Sequence, residues 1–261
     1  MIECIARGRT LPEAYHKALL QLQAYGEETG CPDYNTNQME VSMTMCVESP
    51  LEEPMISKFF IGGPHELEQY RQEILYGILD FEIAKGNWDY TYHDRMVNYP
   101  VDNQVKFPGE YSKNQVQFVI DELRRCSDSR RAVIDIRDNS DDMYSNDPAC
   151  LQHIHYLLRN GKLDCKVLFR SNDAVKATFM NAFALIQLQK MIADELGIEV
   201  GTYTHRANSF HAYEKDYKLL DSYISKMNDE EVAYSYEDDW KELMEEEQDK
   251  IKEKVEKLRS H

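Results

Sequence analysis

Apolar and polar positions alternate at two periods along this chain, and the changes of period mark out its elements. A short apolar run predicts a first strand over Ile2–Ala6, and Thr10, Pro12 and Glu13 then open a helix. Thr10 is its N-cap, Pro12 lies in the first turn, and Glu13 completes a capping box. Leu19, Leu20, Leu22 and Ala24 carry that helix to Gly26, and Asp33–Asn37 reads as loop. Gln38–Glu48 alternates with period two, the mark of a half-buried strand. Pro50 and Pro54 end it, and Ile56–Phe60 forms a second short extended piece. After Gly62-Gly63-Pro64, the recurrence of Leu67, Tyr70, Ile74, Ile78 and Phe81 at three to four residues predicts one helix over Glu66–Ala84. Glu73 lies beside that stripe, at the edge of any pocket it lines.

Trp88, Tyr90, Tyr92, His93 and Arg95 crowd into eight residues that read as a binding wall. A helix over Ser112–Arg125 and a strand over Ala132–Ile136 follow, the strand preceded by Arg130-Arg131. Alternating runs at 153–158 and 162–169 flank Asn160-Gly161, a strong hairpin signal because both turn residues tolerate positive φ. Ala177–Leu196 is a long apolar helix stopped by Gly197, with Asn181 its odd polar residue. Glu199–His205 reads as strand and Lys218–Lys226 as helix. Glu237–Arg259 predicts a polar helix laced with i,i+4 opposite charges, a solvated or dimer-flanking face. No internal repeat is present.

Composition narrows the class. The 261 residues can bury a real core, and 42% apolar content with 17 tyrosines excludes a disordered chain. A net charge of −17, densest over residues 227–248, argues against nonspecific nucleic-acid or anionic-membrane partners. It leaves room for an anionic small substrate held by a few arginines. The six cysteines form no CxxC pair and no zinc spacing, and His93, His153 and His155 show no ligand pattern, so no metal is expected. The chain shows neither an apolar signal core nor a membrane-length run, which predicts a soluble cytoplasmic protein with free thiols.

The hairpin carries the candidate chemistry. Cys150 stands at its entrance and Arg170, Ser171 and Asp173 at its exit, so all four can share one end of a sheet. With Ser-Arg-Arg at 129–131, Pro-Ala-Cys at 148–150, Gly-Lys-Leu-x-Cys at 161–165, Arg-Ser-Asn-Asp at 170–173, Phe-Met-Asn at 179–181 and His-Ala-Tyr at 211–213, the chain resembles the thymidylate synthase family. That family includes the pyrimidine nucleotide hydroxymethylases, and Arg-Gly-Arg-Thr-Leu-Pro-Glu-Ala-Tyr near the start is similar to a divergent archaeal and bacterial branch. The resemblance implies an α/β (α+β) catalytic domain over 1–226 with a large mixed sheet, dimerising sheet to sheet, and an acidic helical extension over 227–261. It implies one-carbon transfer from 5,10-methylenetetrahydrofolate, or a modified pterin, to C5 of a pyrimidine nucleoside monophosphate.

Residue by residue, the resemblance makes Cys150 the nucleophile at C6, with Arg170 lowering its pKa. Arg170 and Ser171 would hold the phosphate, joined by Arg130 and Arg131 from a partner subunit, because guanidinium forks match phosphate. Asn181 would read the base edge, Asp173 would anchor the base, and His211 and Tyr213 would bind the sugar hydroxyl. Glu73 would be the general acid/base through water, and Tyr90 would assist removal of the C5 proton. Lys58, Trp88 and Lys176 are the folate-side candidates.

Departures from the family pattern cluster on that folate side. Leu151 follows the cysteine where histidine is common, and Lys176-Ala177 replaces Leu-Gly. Trp88 is offset from the family tryptophan, and the apolar C-terminal tail gives way to a Glu/Lys-rich helix. The Gly-rich-loop phosphate arginine is also missing, with Arg7 and Arg9 as candidate substitutes. A wetter folate side favours hydroxymethylation, since hydride delivery needs a dry site. Methylation of dUMP is the alternative, because Asn181 suits uracil. A non-catalytic nucleotide-binding relative is a second alternative, opposed by the joint presence of Cys150 and Glu73.

Overall fold

A computed structural model describes residues 1–99, 114–227 and 232–260. Strand β1 (Glu3–Gly8) leads into helix α1 (Leu11–Tyr25) across a junction that only glycine fits, since a Cβ on Gly8 would lie 2.3 Å from the Ala14 nitrogen. Thr10 accepts from the Glu13 N–H at 3.5 Å, as expected of an N-cap. The Glu13 carboxylate, however, reaches past the cap to the Arg9 N–H at 2.7 Å.

Strand β2 (Glu27–Cys31) was not legible, because Glu-Glu-Thr-Gly-Cys carries no apolar alternation. A tight turn at Pro32–Tyr34 returns the chain into β3 (Thr36–Val47). Next come β4 (Ile56–Ser57) and α2 (Pro64–Tyr76). The long helix expected over Glu66–Ala84 breaks at Gly77, whose φ of 59° is left-handed. Ile78 therefore leaves the helix and Phe81 opens the separate short helix α3 (Phe81–Ala84). The aromatic segment ends in α4 (Tyr92–Val97), capped by Thr91.

Helix α5 (Gln115–Arg125) follows; Ser112 and Lys113, expected in it, lie outside the described residues. Strand β5 (Val133–Asp135), a single turn α6 (Asn139–Asp142), β6 (Leu151–Arg159) and β7 (Lys162–Asp173) come next. Asn160 and Gly161 join β6 to β7 with φ of 52° and 76°, the conformation the hairpin reading required. Helix α7 (Thr178–Leu196) ends at Gly197, and β8 (Glu199–Tyr213) runs eight residues beyond the expected end at His205. Helix α8 (Tyr217–Lys226), β9 (Ala233–Tyr234) and α9 (Lys241–Ser260) complete the chain.

The architecture is α/β, with one large mixed sheet in the order β1-β3-β8-β7-β6-β5. Strand β2 pairs antiparallel with the front of β3, while β1 runs parallel to its rear. β8 is parallel to β7 and antiparallel to β3, whereas β6 is antiparallel to both of its neighbours, β7 and β5. Helices α1, α5 and α7 bury one face of the sheet over Met45, Phe169 and Tyr203, with Phe183 of α7 buried in the same core. On the opposite face Ile5 is exposed, while Thr44, His153, Leu168 and Arg206 are half-buried. Helix α9 is less bare than its sequence implied: it lies along α2 and buries Met244 and Ile251, with Ile251 and Val255 packed on Leu79.

Candidate active site

Strands β7 and β8, the residue that enters β6 and side chains from helices α2, α4 and α7 build a cavity of about 300 Å³ around Cys150. Cys150 stands one residue before β6, and its carbonyl accepts from the Arg170 N–H at 2.8 Å. That ladder fixes Arg170 and Ser171 beside it, and the β7–β8 register sets Asp173 opposite His211. The first turn of α7 adds Met180 and Asn181 from below. Cys150, Arg170, Ser171, Asp173, Asn181, His211 and Tyr213 all line this one space.

Each side chain is held for a visible reason. The Arg170 guanidinium clasps the cysteine loop, giving Nε–H to the Ala149 carbonyl at 3.1 Å and Nη2–H to the Pro148 carbonyl at 2.6 Å. Asp173 Oδ1 accepts from the backbone N–H of Val175 and of Lys176, both at 2.9 Å, which closes the β7–α7 turn. His211 is buried, its Nδ1 lies 3.4 Å from Ser171 Oγ, and its Nε2 is buried without a hydrogen-bond partner among the described residues. Burial pushes its pKa down, against the pull of Asp173, so a neutral ring faces the cavity. Asn181 Oδ1 accepts from the Tyr70 hydroxyl.

The cysteine departs from expectation. Burial pushes its thiol up, Arg170 opposes that less strongly, and Asp147 adds to the rise, so the net shift is upward. Arg170 holds the loop but does not by itself make a resting thiolate.

A second cavity of about 430 Å³ adjoins the first and shares Tyr70 and Tyr92 with it. Glu73, Trp88, Tyr90, His93 and Asp147 line it. Burial pushes the Glu73 carboxyl up, although Gln69 donates to its Oε1 at 2.8 Å. Asp80 pins the aromatic segment, accepting from Thr91 Oγ1 at 2.6 Å and pairing with His93 Nδ1 at 2.6 Å. Tyr90 lies in this cavity only, whereas Tyr92 reaches both and its hydroxyl accepts from the Leu151 N–H at 3.3 Å. Arg95, grouped with the wall in the sequence reading, is instead buried against Asp138 and Asp142 at 3.5 and 3.6 Å.

Other expected residues stand elsewhere. Arg130 and Arg131 are exposed and line neither cavity; Arg131 pairs with Glu122 at 3.0 Å. Lys58 lies over the Tyr234 ring, and Lys176 pairs with Asp216 at 2.6 Å, so of the three folate-side candidates Trp88 alone lines a cavity wall. Arg9 pairs with Glu52, and neither it nor Arg7 lines the Cys150 cavity.

Tyr34, Asn172, Met180 and Tyr70 also line the cavity, and of their sequence signals only the apolar stripe that includes Tyr70 is local. Tyr34 arrives on the β2–β3 turn and stands edge-on to Tyr213, ring centres 5.6 Å apart. No local signal marks it. Among the described residues no group of His, Cys, Asp and Glu could hold a metal, and no helix is long and apolar enough to cross a membrane.

Comparison with known proteins bears on the family and the fold. The profile of the family described as "Thymidylate synthase" matches residues 61–260. A protein of Methanocaldococcus jannaschii named "Putative thymidylate synthase" is 38% identical over 171 residues, covering 62% of this chain and 70% of that one. One of the same name from Methanosarcina barkeri is 26% identical over 233 residues, covering 86% and 96%. The solved thermostable thymidylate synthase A from Bacillus subtilis superposes with a TM-score of 0.65 at 17% identity, covering 83% of this chain and 84% of that one, and so shares the fold.

Proposed function

The chain belongs to the thymidylate synthase family and is a transferase of that family; on that premise we propose that it transfers a one-carbon unit to C5 of a pyrimidine nucleoside monophosphate. The observation that carries this reading is the convergence of Cys150, Arg170, Ser171, Asn181 and His211 on one nucleotide-sized cavity, with Glu73 in the space next to it.

Arg170 and Ser171 would take the phosphate, and the orphaned Nε2 of His211, with Tyr213, would take a sugar hydroxyl. Asn181 would read the base from α7. Arg130 and Arg131 would complete the phosphate site from a second copy joined through the face of the sheet that α1, α5 and α7 leave uncovered. Residues 1–226 would carry the chemistry, with 227–261 as an extension whose α9 braces α2 behind Glu73.

The Cys150 sulfur would add to C6 and so make C5 nucleophilic. Since burial favours the thiol, its proton would pass through water to the ring oxygen O4 as the sulfur bonds to C6 and the C5=C6 π electrons move into the ring. Glu73, whose carboxyl burial also keeps protonated to higher pH, would deliver and recover protons through water. Tyr92 joins Tyr90 as a candidate to assist loss of the C5 proton, because its hydroxyl sits beside the cysteine loop in both cavities.

The second cavity would take a pterin-bearing carrier: Trp88 and Tyr90 would give it aromatic contacts, and Asp89 and Asp147 would give acceptors for its amino groups. When bound, such a carrier supplies carbon at the oxidation level of formaldehyde and, for methylation, a hydride. The polar lining from Glu73, Asn87, Asp89 and Thr91 would keep water at the exocyclic carbon, which favours a hydroxymethyl product. Methylation is the second reading, favoured by the amide rather than carboxylate at Asn181.

Mass spectrometry of dUMP, dCMP and CMP incubated with methylenetetrahydrofolate, beside Cys150→Ala, tests this. A gain of CH2O means hydroxymethylation and a gain of CH2 means methylation. No product and no release of tritium from C5 with any nucleotide overturns the transferase reading of this site.

A further inference from the structure

Building on the reading of the Cys150 cavity as a pyrimidine nucleotide site, we propose that Tyr70 fixes the orientation of the Asn181 amide and thereby decides whether the protein accepts uracil or cytosine. Tyr70 comes from α2 and Asn181 from α7, 111 residues apart, and both line the cavity. The Tyr70 hydroxyl donates to Asn181 Oδ1, while Nδ2 has no hydrogen bond among the described residues. The oxygen end of the amide is therefore engaged, and the nitrogen end is left for a ligand.

That asymmetry matters because the two bases present opposite edges. Uracil offers an acceptor at O4 beside a donor at N3–H. Cytosine offers a donor at N4–H2 beside an acceptor at N3. An asparagine amide can read either, but only by exchanging its oxygen and nitrogen through a half-turn. An unrestrained side chain would make that turn and accept both bases. Here the inverted amide would face Nδ2 to the phenol, which could accept it only by turning its own proton away from Asn181 in a partly buried position, where losing that hydrogen bond is costly. Burial and the nearby Glu73 hold Tyr70 in its protonated form, so it remains a donor throughout the working pH range. Tyr70 is thus a positioning residue acting through Asn181.

The test is the ratio of kcat/KM for C5 tritium release from dUMP and from dCMP, in wild type and in Tyr70→Phe. Phenylalanine keeps the ring and removes only the hydroxyl; Tyr70→Leu serves as a second variant should the first fail to accumulate. Wild type is expected to discriminate by about a hundred-fold or more, as sites built on base-edge hydrogen bonds do. Tyr70→Phe is expected to shrink that ratio by about ten-fold or more, mainly by gain on the poorer base. A merely structural defect lowers both rates together and leaves the ratio unchanged, which would overturn the proposal. A wild-type ratio near one would overturn it as well. Calorimetry showing that wild type binds neither nucleotide would instead remove the nucleotide reading on which the proposal rests.

Discussion

Asn172→Leu is the substitution whose cost the structure fixes most closely. Asn172 is 4% exposed at the end of β7, between Ser171 and Asp173. Its Oδ1 accepts from Thr178 Oγ1 at 2.8 Å and meets His205 Nε2 at 2.9 Å. Burial pushes the His205 pKa down to about 3, so the ring is neutral and carries one N–H. With that proton on Nε2 toward Asn172, Nδ1 accepts from the Tyr203 hydroxyl at 3.0 Å, and the ring stacks on Phe169 at 4.6 Å. Leucine would strand the His205 N–H, costing about 1–3 kcal/mol for an unsatisfied buried donor. Thr178 keeps the Asp173 carbonyl at 2.9 Å, so its loss is nearer the net value of one bond, about 1 kcal/mol. The sum, about 2–4 kcal/mol, is a large part of a typical domain stability of about 5–15 kcal/mol. Urea unfolding should show a lower midpoint with an unchanged slope. A double-mutant cycle with His205→Phe should recover about 1 kcal/mol or more, because the second change removes the stranded donor. The same turn positions Ser171 and Asn181, so nucleotide KM should rise with the loss of stability. A single-mutant cost below about 0.5 kcal/mol, or a cycle that is simply additive, would refute the network.

Three further outcomes follow from the same physics. His16, bonded to Ser57 Oγ at 2.7 Å and held near a pKa of about 4, and His205, near about 3, both lie below the ordinary histidine value. The unfolded chain thus gains protons first on acidification. Stability present above pH about 6.5 should fall by up to about 1.4 kcal/mol per pH unit per histidine as pH drops toward about 4, and His16→Gln should flatten that slope in urea midpoints. Alkylation of Cys150 by iodoacetamide should keep rising beyond pH about 8.5, where an ordinary thiol is half ionised, and saturating nucleotide should block it; a plateau near neutral pH would contradict the buried-thiol reading. Glu73→Gln should cut turnover by about 10²–10⁴-fold. Because the Glu73 pKa is raised, the native state loses stability as pH climbs through it, so the amide variant should melt no lower than wild type at pH 8, with any gain vanishing in acid.

Much of the molecule was legible because its signals are local. The period-two pattern of β3 needs only a sheet with one buried face. Asn160-Gly161 adopts positive φ at both residues because few other pairs can, and Gly197 stops α7 for the same reason. Cys150, Arg170, Ser171 and Asp173 fall together because the hairpin that separates them also folds them back onto one another.

What failed lay where partners, not periodicity, decide. The apolar stripe of α2 continues past Gly77, yet the chain breaks there, with the turn packed on the Asp80–His93 pair. The polar end of β8, Asn208-Ser209-Phe210-His211, extends only because β3 and β7 supply backbone partners on both sides. Tyr34, Tyr70 and Asn172 reach the cavity from three different elements, and no spacing along the chain announces that. The state of the cysteine shows the division most plainly. Sequence alone set a guanidinium beside a thiol, but only the packed structure could weigh that charge against burial, and burial outweighs it.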